Sequence, residues 1–120
     1  MDILLKIGDN SFELKNANIQ IHDYNIHIKL DMDKKLYKKL KIYDDTNINS
    51  NVGQITIIYD STLLLVYSMS MVVYDTYYDK HYPKDNKKIN INIITFNITY
   101  DNPKLYFRNE KIRKINEKNI

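Results

Sequence analysis

The chain has no cysteine and no tryptophan, and only two glycines and two prolines in 120 residues. Without cysteine there are no disulfides, no thiolate nucleophile and no cysteine-based zinc or iron–sulfur site. Two glycines cannot build a glycine-rich phosphate loop, and no serine sits in a Gly-x-Ser-x-Gly turn. Long hydrophobic runs are also scarce. The longest, at 62–74, is interrupted by Ser68 and Ser70. A membrane-spanning helix needs about 20 apolar residues, so this run is expected in the core. The first seven residues carry Asp2 and Lys6, which is unlike an export signal.

Arginine is nearly missing as well. Of 18 cationic residues only Arg108 and Arg113 are arginine, so two-pronged guanidinium grips on phosphate or guanine are hardly available. The net charge of +3 is mild for a nucleic-acid binder. The densest basic run is Lys34, Lys35, Lys38, Lys39 and Lys41, which reads first as a solvated face.

What the chain does have is apolar alternation. Hydrophobic residues make up 43% of it, enough for one folded core and too little chain for two. Ile19 and Ile21 alternate with Gln20 and His22, and Ile26, Ile28 and Leu30 alternate with His27 and Lys29. With Asp23, Tyr24 and Asn25 between them, 17–31 predicts a β-hairpin. Ile55, Ile57 and Tyr59 continue the period, as do Ile89, Ile91 and Ile93. The phase then slips to Phe96, Ile98 and Tyr100, the mark of a bulge or of a strand passing between two sheets. In 62–74 both alternating sets are largely apolar, which predicts a strand covered on both faces or a tight turn near Ser68–Ser70. Short strands are expected near Leu4 and at 12–14, and 33–43 fits either a helix or a strand. The expected fold is all-β: an antiparallel β-sandwich of about seven to nine short strands with at most one or two short helices. The sandwich would occupy 1–107, leaving 108–120 as a polar tail or marginal helix.

The chemistry of the side chains points away from an enzyme. His22 and His27 flank the hairpin turn on one outward face, but they are two ligands where a closed zinc site needs four. Both read as solvated strand residues, and His81 as a surface loop residue. No catalytic, metal or cofactor site is expected. The most unusual feature is the tyrosine cluster Tyr74, Tyr77, Tyr78 and Tyr82, with Asp75, Asp79 and Lys80 among them. Tyrosine offers large, rigid, amphipathic area that protein interfaces favour, so a binding face competes here with a bland strand edge. The acids between the tyrosines would repel phosphates, which makes nucleic acid an unfavoured partner.

Several short stretches resemble, in order, the small host-range proteins of chordopoxviruses. They are Asp2-Ile3-Leu4-Leu5, Gly8-Asp9, Leu14-Lys15-Asn16 leading to Ile19-Gln20-Ile21-His22, Tyr37-Lys38-Lys39-Leu40-Lys41, Met71-Val72-Val73-Tyr74, His81-Tyr82-Pro83 and a final strand ending at Asp101-Asn102. The segment after Tyr43 is shorter than in that family and has no tryptophan. The resemblance implies a single-domain β-sandwich working in the host cytoplasm as a monomeric innate-immune antagonist without enzymatic activity. It also implies binding to a host restriction factor of the sterile-alpha-motif type, through loops at one end of the sandwich. By position the loops are 77–83 and 44–52, giving Tyr77, Tyr78, Asp79, Lys80, His81, Tyr82, Asp44 and Asp45 as contact residues. Two other readings remain. One is a ring-forming structural sandwich of the phage tail-tube or tail-hub kind, pairing through asparagine-rich edges such as 89–99. The other is a weak single-stranded nucleic-acid binder.

Overall fold

A computed structural model describes residues 1–44, 53–77 and 87–101, apart from the side chains of Met69, Tyr77, Phe96 and Asp101. Seven antiparallel strands and one helix follow in the order β1 (Ile3–Ile7), β2 (Asn10–Leu14), β3 (Asn18–Ile21), β4 (Asn25–Asp31), α1 (Lys34–Lys41), β5 (Gln54–Tyr59), β6 (Thr62–Tyr77) and β7 (Lys87–Asp101). The expected hairpin at 17–31 is β3–β4, closed by a hydrogen bond from the His22 N–H to the Asn25 carbonyl. The two-residue turn between β1 and β2 places Gly8 at φ +59, a conformation glycine adopts without steric cost. The equivalent turn between β5 and β6 puts Asp60 at φ +50.

All seven strands are hydrogen-bonded into one sheet, in the order β2-β1-β5-β6-β7-β4-β3. What makes it sandwich-like is the length of β6 and β7, 16 and 15 residues rather than the short strands expected from the sequence. Their register shifts at Tyr67/Ser68 and again at Ser68/Ser70. Tyr67 faces Asn97, Ser68 faces Thr95, and Phe96 is skipped, which is where the apolar phase slips in the sequence. The first half of β6 pairs with β5 and the last residues of β7. Among the described strands its second half pairs only with the first part of β7, which β4 flanks on its other side. One wing is therefore β2-β1-β5 with the near ends of the long pair, and the other is β3-β4 with the far ends.

The inward residues of both wings form one buried cluster. Leu5, Ile7, Ile55, Ile57, Leu64 and Val66 come from the first wing, and Ile26, Ile28, Met71, Val73, Ile89, Ile91 and Ile93 from the second. Each such side chain contributes about 1.5–3 kcal/mol by leaving water. Leu63 and Leu64, adjacent on β6, are both fully buried, so this strand is covered on both faces there. Thr56 and Ile58, on the outer face of β5, are buried too.

The ambiguous segment 33–43 is a helix. Asp33 caps it from extended backbone, its Oδ1 accepting the N–H groups of Lys35 at 3.0 Å and Leu36 at 3.2 Å. Leu36 and Leu40, four residues apart, turn one face to the core, and Leu40 is completely buried. The lysines of the last turn suit the negative end of the helix dipole. Tyr43, just past the helix, packs edge-on against Phe12 with ring centres 5.9 Å apart.

Candidate functional site

The expected contact residues Asp45, Tyr78, Asp79, Lys80, His81 and Tyr82 lie outside the described residues, as does the tail from 102 to 120. Tyr77 is described as backbone only: it is the last residue of β6 and pairs with Lys87. The anchoring points of the two segments are well defined, however, and they share one strand.

Asp44 stands at the start of the first of these segments. It was expected in a solvent-exposed loop, but it is completely buried. Its Oδ2 accepts the N–H of Val73 at 2.7 Å and the Lys41 ammonium at 3.1 Å. The same ammonium donates to the Val73 carbonyl at 2.6 Å. Among the described residues the second half of β6 has a hydrogen-bonded strand neighbour on one side only, and an edge of this kind leaves alternate N–H and C=O groups exposed. Asp44 and Lys41 together occupy both backbone groups of Val73, in place of a neighbouring strand. Burial pulls the Lys41 ammonium down, but the hydrogen bond and charge of Asp44, with help from Tyr37, outweigh it and hold its pKa above the ordinary value. Asp44 thus acts as a structural clamp on the edge of β6. Nothing in the local sequence signals this, because the contact spans 29 residues.

The clamp fixes where 45–52 begins, beside Val73. Its far end is fixed at Gly53, whose carbonyl accepts the Ser68 N–H at 2.8 Å. The segment 78–86 leaves the same strand at Tyr77 and returns at Lys87. The Lys87 carbonyl accepts the Met32 N–H at 3.2 Å, one residue before the helix cap. Helix α1 therefore runs from the return point of 78–86 to the start of 45–52. Asp75 and Lys87 form an ion pair at 2.6 Å at the base of 78–86, and the hydrogen bond from Lys87 lowers the Asp75 pKa.

The outer face of the second wing carries polar residues in cross-strand rows. Gln20, His27 and Asn92 form one, and Asn18, Lys29, Asn90 and Tyr74 the next. Asn90 is only 2% exposed. Its Nδ2 donates to Thr76 Oγ1 at 2.8 Å, and its Oδ1 accepts from His27 Nε2 at 3.0 Å. His27 is half-buried and hydrogen-bonded, whereas the sequence suggested a solvated residue; His22 is exposed. The two histidines do not converge on a ligand set: among the described residues no three metal-ligating side chains cluster.

The edge proposed from sequence for ring assembly, 89–99, is also revised. From Lys88 to Ile94 strand β7 is paired on both sides, to β6 and β4, so its backbone there is not free to accept another chain. Only its last residues have a single partner strand among those described. No helix among the described residues is long and apolar enough to cross a membrane. Compared with protein-family models, curated proteins and solved structures, the chain matches none.

Proposed function

We propose that the protein is a non-enzymatic host-range factor of viral type, acting inside the host cell as an innate-immune antagonist. It binds a host restriction factor of the sterile-alpha-motif class through the two segments 44–52 and 77–83. The observation that supports this reading is their common anchorage. One begins beside Val73 and the other leaves β6 at Tyr77, four positions along the same strand. Two connecting segments rooted together on a sheet are a usual construction of a protein-binding end. Tyrosines 77, 78 and 82 supply the aromatic area that such contacts use. Asp44, where the first segment starts, is tied to Val73 and Lys41.

The test is affinity capture from interferon-treated mammalian cells, with the wild-type chain and a Tyr77→Ala/Tyr78→Ala/Tyr82→Ala variant as parallel baits. The wild type retains a sterile-alpha-motif protein, and the variant recovers about ten-fold less of it, as expected when hot-spot tyrosines are truncated. Equal recovery by the two baits, or no such protein with either, refutes the reading.

A further inference from the structure

The exposed face of α1 offers a surface with which no described residue forms an ion pair. Lys34, Lys35, Lys38 and Lys39 are all exposed, and none is in an ion pair with a described residue. They stand as like-charged neighbours at i, i+4, Lys34 with Lys38 and Lys35 with Lys39, an arrangement that weakens an isolated helix. The contrast with nearby lysines is clear. Lys41 is held by Asp44, Lys87 by Asp75 and Lys88 by Asp31. Beside the helix lies an open hollow whose apolar lining is Phe12, Leu36, Ile42 and Tyr43, with Lys35 and Lys39 on its rim. Ile42 is 61% exposed, a large apolar side chain left to solvent at the foot of the helix. The acids bordering the same hollow are Glu13 and Asp33, and Asp33 is committed to the helix cap.

We infer that α1 and this hollow form a docking surface for an acidic peptide segment carrying an apolar side chain. Carboxylates of the partner pair with the four lysines, and its apolar residue covers Ile42 and fills the hollow against Phe12 and Tyr43. Charge complementarity selects the partner: four exposed cations that pair with no described residue, beside an apolar floor, match an acidic, amphipathic protein segment. Lysine ammoniums without arginine forks provide charge but little of the planar geometry that phosphate readers exploit, which favours carboxylates over a polynucleotide. Because α1 runs between the roots of 45–52 and 78–86, the inference rests on the reading of that end as protein-binding, and it names the charge of the partner.

The experiment titrates the isotope-labelled full chain with a twelve-residue glutamate-rich peptide containing one central leucine, followed by amide chemical shifts. Shifts are expected at Phe12, Lys35, Leu36, Lys39 and Ile42, with β3 and β4 unmoved. Four exposed pairs of ordinary strength amount to about a ten-fold change in affinity. Lys34→Gln/Lys35→Gln/Lys38→Gln/Lys39→Gln should lose that factor, and the corresponding four-fold Arg variant should retain binding. The two double variants, Lys34→Gln/Lys38→Gln and Lys35→Gln/Lys39→Gln, divide the effect should the quadruple variant lose its fold. Scattered or absent shifts, or equal peptide affinity for the Gln and wild-type chains, overturn the inference. Tighter binding of an oligothymidylate of equal charge also overturns it, in favour of a polyphosphate surface. The tyrosine variant separates the two readings. Peptide binding with no tyrosine effect in cell capture leaves the docking surface standing and removes the host-factor reading, and the opposite pattern does the reverse.

Discussion

Removing the Asp44 carboxylate tests how the free edge of β6 is held. In Asp44→Ala the Val73 N–H loses its 2.7 Å acceptor in a buried setting. Leaving such a donor unsatisfied costs about 1–3 kcal/mol. Lys41 loses its carboxylate too, but its side chain is 40% exposed and can turn into water. That part is comparable to an exposed pair, about 0–1 kcal/mol. Together the loss is about 1–4 kcal/mol, which for a chain of this length lowers Tm by roughly 4–16 °C. The reverse change discriminates further. Lys41→Met strands a carboxylate that is 0% exposed, and removing one partner of a buried pair costs about 3–5 kcal/mol. Asp44→Asn retains an acceptor for Val73 and should be the mildest of the three, at about 1 kcal/mol. The assay is urea unfolding followed by far-ultraviolet circular dichroism and tyrosine fluorescence, since the chain has no tryptophan. If Asp44→Ala lies within about 0.5 kcal/mol of wild type, or Lys41→Met is clearly milder than Asp44→Ala, the clamp is not what holds this edge.

Other outcomes follow from the same contacts. Lys41 has a folded pKa raised above 10.5, so its contribution is present below that value and fades as pH climbs through the folded pKa; alkaline unfolding curves of wild type and Lys41→Gln should therefore converge, and a constant gap between them would refute the linkage. Asp75 has its pKa lowered, so its small contribution is present above 3.8 and disappears as pH falls; Asp75→Asn should flatten the acid limb slightly, by well under about 1 kcal/mol at this partly exposed site. Met71 is fully buried where the wings meet, and Met71→Ala should cost about 2–5 kcal/mol in the same urea assay. Asp33→Ala removes the helix cap and should cost about 1 kcal/mol, with the strand signal in circular dichroism unchanged.

The sheet was legible in the sequence wherever one face of a strand is buried and the other wet. Ile26, Ile28 and Leu30 against His27 and Lys29 gave both the strand and its inward face. The slip at Phe96 was readable as a bulge because it breaks the period within one apolar run. The length of β6 was harder to read, because Leu63 and Leu64 are both buried and erase the alternation that would measure the strand. The helix was ambiguous for a different reason: its buried face is short, resting on Leu36 and Leu40, and its decisive feature is the Asp33 cap. Least legible was Asp44, which resembles a solvated loop acid in sequence and is made internal by a strand 29 residues away.

The sheet order also has a consequence for how the chain is synthesised. Among the described strands the β1–β2 hairpin joins the sheet only through β5, and the β3–β4 hairpin only through β7. Two-stranded hairpins are marginal in water on their own. A ribosome that has released the first 53 residues has therefore released neither bridging strand, and the second hairpin waits until Ile94 has emerged. During that interval β4 lacks the strand it pairs with on its β7 side. Folding of both wings is then committed late and together, when the β6–β7 pair arrives to serve them both.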